Sequence, residues 1–155
     1  MARFVLRVPA FVTTTGLTTA LTGHCDAAGE EYEIQEYITT GAGATSPADT
    51  GHRAEIQRLD ATTAGTSTAQ TPGKLDARSN ASLVVGANTY TAEPTAYLLN
   101  SLLNLGFNQR GGMRWAVPKG MGILVSNAVG GVKAGCRVIS SAAGAVDVTL
   151  IWEEA

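Results

Sequence analysis

Charge is scarce in this sequence. Its 155 residues include 11 Lys or Arg and 13 Asp or Glu, for a formal net charge of −2. A protein that grips nucleic acid through its phosphates carries a basic excess, so direct nucleic-acid binding is not expected. Disorder is not expected either, because hydrophobic residues make up 45% of the chain and disordered chains pair low hydrophobicity with high net charge. No stretch approaches the roughly 18 consecutive apolar residues of a membrane-spanning helix. The opening MARFVLRVPAF is broken by Arg7 and Pro9 and lacks the unbroken apolar centre of a secretory leader. The product is therefore expected in the cytoplasm where it is made.

Cysteine is nearly missing too. Cys25 and Cys136 lie far apart with no CxxC spacing, and the expectation is two reduced, packed thiols. Aromatic residues are 6% of the chain, few for a carbohydrate-binding platform. Helical periodicity is rare.

What is present is alternation, punctuated by 18 Gly and 5 Pro. In RFVLRV, Phe4, Leu6 and Val8 alternate with Val5 and Arg7. In EYEIQEYITT, Tyr32, Ile34 and Glu36 share one side, with Glu33, Gln35 and Tyr37 on the other. HRAEIQRLDA places Ala54 and Ile56 on one face of a strand, although the same ten residues could make a turn and a half of helix. ASLVV, GMRWAVP, MGILVSN, GVKAGCRVIS and AVDVTLIWEE read as further short strands. Residues 94–105 leave two readings open. Tyr97, Leu98, Leu102 and Leu105 have helical spacing after Pro94, whereas Leu103, Leu105 and Phe107 alternate as a strand would. Residues 13–29 read as loop with at most one short strand. Short strands at regular intervals predict an all-β, single-domain β-sandwich with long loops and at most one short helix. Residues 1–30 are expected to form an N-terminal strand or arm region and residues 31–155 the sandwich, as one globular unit.

Sites of chemistry are hard to find. Gly41 and Gly43 begin a GxG pattern, but Ser46 stands where the third glycine belongs. Gly73-Lys74 resembles the end of a phosphate loop, yet Leu75 replaces the hydroxyl residue that would hold magnesium. His24 and His52 are the only imidazole bases, and no GxSxG elbow accompanies them. A metal set from His24, Cys25, Asp26 and His52 lacks the spacing of known ligand motifs. Glu30, Glu31, Glu33 and Glu36 read as a solvated face, and Glu153 and Glu154 as a solubilising end. Arg110, Arg114 and Trp115 could stack on a base, but a packed Trp115 beside an arginine that meets an acidic partner is preferred. No catalytic, cofactor or metal residues are assigned.

One run stands apart: DATTAGTSTAQTPGKLD, from Asp60 to Asp76. Its side chains are too small to build a core. They can lie against another surface, where threonine hydroxyls bond at little entropic cost. It is expected to be an ordered interface loop with Thr62, Thr63, Thr66 and Thr68 as contacts, the alternative being a surface loop packed on its own domain. Arg53, Arg58, Arg78 and Arg110 are the candidate polar anchors, arginine being enriched at interfaces. Intramolecular ion pairs are the competing account of each.

The series EEYEIQEYITTGAG, ADTGHRAEIQRLDATTAGTSTAQTPGKLD, NQRGGMRWAVPKG and VDVTLIWEE resembles the small decoration, or cement, proteins of tailed-bacteriophage heads. The likeness is carried by the run Arg58 to Pro72 before a Leu-Asp pair and by Asn108 to Arg110 ahead of Trp115. The turn Pro118 to Gly120 before a hydrophobic strand and the acidic C-terminus complete it. It covers most of the chain after Glu30. The resemblance implies a jelly-roll-like sandwich on the capsid exterior that clamps major capsid protein subunits and forms homotrimers. Trp115 joins the candidate interface residues on this ground. It implies no enzyme activity, cofactor or membrane partner. A tail, neck or head-fibre component and a carbohydrate-binding sandwich are the alternatives.

Overall fold

Phe4 faces Trp152 across the pairing of the first and last strands, and the molecule is organised around that closure. The computed structural model describes residues 2–25, 27–41, 49–59, 65–127 and 133–154, with the backbone alone at Leu99. The strands are β1 (Ala2–Thr13), β2 (Thr18–Cys25), β3 (Glu31–Gly41), β4 (Gly51–Leu59), β5 (Thr66–Gln70) and β6 (Gly73–Lys74). They continue as β7 (Val84–Ala92), β8 (Tyr97–Asn108), β9 (Met113–Ala116), β10 (Ile123–Ser126), β11 (Lys133–Ser140) and β12 (Gly144–Glu154). No helix occurs among the described residues.

Two antiparallel sheets pack as a β-sandwich. One runs β10-β3-β12-β1-β6, with β9 also on β3; the other runs β5-β7-β2-β11-β4-β8. The pairs nest from the chain ends inward: β1 with β12, β2 with β11, β3 with β10 and β4 with β8. The chain changes sheet at each step from β1 to β4 and retraces those steps on its return.

The interior is made by the alternation already visible in the sequence. Phe4, Leu6 and Val8 meet Val148, Leu150 and Trp152 there, all buried. The Trp152 ring stacks on Phe4 at 6.1 Å and takes the edge of Tyr32 at 6.0 Å. Such aromatic pairs add about 0.5–1.5 kcal/mol beyond the area they bury.

Residues 1–30, read as a strand or arm region, carry two strands: β1 lies between β12 and β6, and β2 between β7 and β11. Several expectations are corrected. The helical reading of 94–105 gives way to β8, because Leu103, Leu105 and Phe107 pack on the core from a strand paired with β4. The alternation of β3 also breaks, since Ile151 pairs Glu36 while Trp152 pairs Ile34, leaving Gln35 as a bulge. An extra residue in one strand moves every later side chain to the other face. Tyr37 and Thr39 are thus fully buried, and Glu36 meets Arg114 at 2.5 Å.

Candidate interface

The segment between β4 and β8 places the features that matter most. It leaves β4, reaches the opposite edge of the second sheet and returns to β8 beside β4; on the way β5 extends that sheet beyond β7 and β6 adds to the first sheet beside β1. The run Asp60–Asp76 is therefore not loop throughout. Thr66–Gln70 pairs with β7, and Gly73–Lys74 pairs with Phe4 and Val5. Gly73-Lys74 is thus strand rather than phosphate cradle, and the Lys74 ammonium donates to the Ser79 carbonyl at 2.8 Å. Thr66, Ser67, Thr68 and Ala69 are all exposed, so this flank presents hydroxyl and methyl groups on a backbone already held by pairing.

From β7 the chain crosses the outer face of the second sheet to reach β8. The Glu93 carboxylate accepts the Thr19 amide at 3.0 and 3.2 Å, and Pro94 is buried. The Tyr97 ring lies over Gly135, where an added Cβ would stand 2.6 Å from ring atoms. Arg137 stacks 4.1 Å from the Tyr97 ring centre and donates to Gln57 at 2.8 Å. The Tyr97 hydroxyl shares a 2.7 Å hydrogen bond with Thr19, and burial pushes its pKa well up. Beside this strap, buried Glu55 pairs with Arg53 at 2.9 Å and accepts from Ser101 and Asn104. The outer face of the second sheet is thus floored by polar groups that largely pair with one another, Arg137 Nε being left without a hydrogen-bond partner.

The expected interface residues fall in different places. Arg53 lies on this outer face. Arg58, at the far end of β4, donates to the Leu124 carbonyl at 3.3 Å. Arg78 pairs with Asp76 at 3.3 Å in an exposed turn. Arg110 sits in the turn after β8, its amide donating to Asn108 at 2.9 Å. Thr66 and Thr68 lie together on β5, while Trp115 is half-buried on β9 opposite Tyr37. Thr62 and Thr63 are outside the described residues. The structure brings Thr66 and Thr68 together and leaves the four arginines dispersed.

Several acidic residues are engaged. Backbone amides of Gly120 and Gly122 donate to Glu33 and hold its carboxyl below the usual carboxylate range. The expected solubilising end is corrected: Glu154 is buried, and its carboxylate accepts from Ser82, Leu83 and Trp152. Glu153 takes Lys119 at 3.0 Å and Gln35 at 2.8 Å.

His52 is buried against Phe107, with ring centres 5.1 Å apart, and neither ring nitrogen has a hydrogen-bond partner. Burial makes this imidazole less basic than usual. Cys25 and Cys136 are both buried. Among the described residues no three His, Cys, Asp or Glu side chains group as a metal site; Asp26 lies outside them. Compared with models of protein families, curated proteins and solved structures, the chain matches none.

The strap of Glu93 and Tyr97, with Arg137 beneath it, was missed from sequence because its members are distant along the chain. A visible signal did exist at its end. From Pro94 to Gln109 there is no charged residue.

Proposed function

We propose that this chain is a non-enzymatic virion structural protein that binds the outside of a phage capsid and stabilises contacts between major capsid protein subunits. The observation that carries this reading is the exposed strip Thr66–Ala69, fixed on β5 along the flank of the sandwich. A surface ordered before contact loses little entropy on binding, and small hydroxyl side chains fit closely against a partner backbone. The nested pairing of β1 with β12 through β4 with β8 supports it, since pairs nested in this way are a feature of jelly rolls, an architecture used by viral capsid domains. The resemblance of residues 58–72 to cement proteins supports it from the sequence side.

The test mixes purified protein with undecorated shells and follows sedimentation and heat resistance. Co-sedimentation with a raised shell melting temperature is expected. The double variant Thr66→Lys, Thr68→Lys should lose binding while keeping its own thermal midpoint. Free protein at saturating concentration, or bound protein with no gain in shell stability, would end the cementing role.

A further inference from the structure

An edge strand offers a row of unpaired amide and carbonyl groups, and proteins usually blunt it with charge, proline or brevity. β8 has none of these defences. It runs for twelve residues as YLLNSLLNLGFN, without charge or proline, and among the described residues pairs with β4 alone. The edges of the other sheet are different: β6 is two residues long and carries Lys74, β9 carries Arg114, and β10 spans four residues.

β8 also keeps apolar surface in reserve. Leu103, Leu105 and Phe107 pack on the core while only partly buried, and Leu98 is 50% exposed. Residues 103–108 pair with β4 in unbroken register, from Leu103 opposite Ile56 to Asn108 opposite Gly51. This half of the edge is regular enough to template another strand.

We propose that β8 is a two-fold interface between copies of this chain, each β8 pairing antiparallel with the other. Around a two-fold axis the residue on the axis meets its own copy and its neighbours meet each other's copies, so a charged residue close to the axis would lie near its like. An edge free of charge over twelve residues satisfies that condition. Side-chain parity requires the axis to pass through a residue, because paired residues must share a face. Placed at Leu105, it sets Leu105 against Leu105 and Leu103 against Phe107, so all three apolar side chains meet apolar partners. On the opposite face Gly106 falls beside Asn104, where bulk is minimal. The contact is independent of shell binding and joins two copies, where the resemblance implies three.

Light scattering coupled to size exclusion tests this on the purified full chain. The wild type is expected at twice the chain mass, and Gly106→Lys at the chain mass. An added Cβ at Gly106 meets nothing within 4 Å, so the lysine is accommodated in the monomer while setting bulk and charge against Asn104 of the copy, one residue from the axis. Leu105→Cys should give a covalent dimer on mild oxidation, and Leu98→Cys, away from the axis, should not. A monomeric or three-copy wild type would overturn the proposal. So would a dimeric Gly106→Lys, or crosslinking at Leu98 and not at Leu105. Shell binding, measured separately, tells failure of this contact from failure of the capsid role.

Discussion

The Trp152 indole N–H donates to the Glu154 carboxylate at 2.9 Å, two residues further along the final strand. The same carboxylate takes the Ser82 hydroxyl at 2.5 Å and the Leu83 amide at 2.9 Å. It thereby ties β12 to the start of β7 in the other sheet. Glu154→Ala would leave these donors without an acceptor in a buried place, and a loss of about 3 kcal/mol is expected. Glu154→Gln should cost less, since its amide oxygen still accepts. Urea denaturation of the three proteins measures both.

His52 makes stability depend on pH. Its imidazole is harder to protonate in the folded chain than in the unfolded one, because burial disfavours the cation. The unfolded state then binds more protons as pH falls through about 6.5, so stability is full above that value and declines below it. The slope contributed by one group cannot exceed about 1.4 kcal/mol per pH unit. His52→Phe, which keeps a ring against Phe107, should flatten the curve between about pH 6.5 and 5. Denaturant midpoints across that range would show it, and a parallel decline in both proteins would refute the assignment.

Asp147 acts lower on the pH scale. Partial burial pushes its carboxyl up, but the Ala10 amide and the Arg7 guanidinium outweigh this and hold it below the usual carboxylate range. Its contribution is therefore present above the ordinary carboxylate range and lost as pH falls through the depressed value. Asp147→Asn should cost about 1 kcal/mol at neutral pH and reduce sensitivity to acid there. Denaturant midpoints of both proteins at neutral and acidic pH measure the difference.

Ala10 itself has φ of 50° at the bulge in β1, a region that disfavours residues with a Cβ. Ala10→Gly is expected to be neutral or to stabilise by up to about 1 kcal/mol. A clear loss of stability in thermal unfolding would show that the Ala10 methyl packs usefully.

Gly135 leaves room for the Tyr97 strap. Gly135→Ala would displace a stiff ring held by Thr19 and Arg137, and destabilisation by about 1–3 kcal/mol is expected. Tyr97→Ala in the same background should recover part of that loss, because the clash is then gone. Additive losses in the double variant would mean that the two sites are uncoupled.

The strand pattern was largely legible. β9 to β12 fall where alternation and turn residues put them, because side chains in these strands segregate by face. Two segments were not. Residues 94–105 satisfy helical and strand spacing alike, and pairing of Leu103, Leu105 and Phe107 with β4 decides between them. ASLVV marks the start of β7, but the polar continuation to Ala92 becomes strand through its partners β2 and β5. At the candidate interface, the low charge of the Asp60–Asp76 run was readable, whereas its division into two edge strands was not.

The sequence by itself determined an all-β chain, the inward rows of Phe4, Leu6 and Val8 and of Val148, Leu150 and Trp152, and the shortage of charge after Glu93. These are local properties, set by which side chains alternate and which residues turn. Only the tertiary structure decided that Glu154 is buried, that Tyr37 turns inward past the bulge at Gln35, and that β8 ends its sheet. Each of these depends on which strand lies alongside, and that choice is made by contacts between residues far apart in the chain.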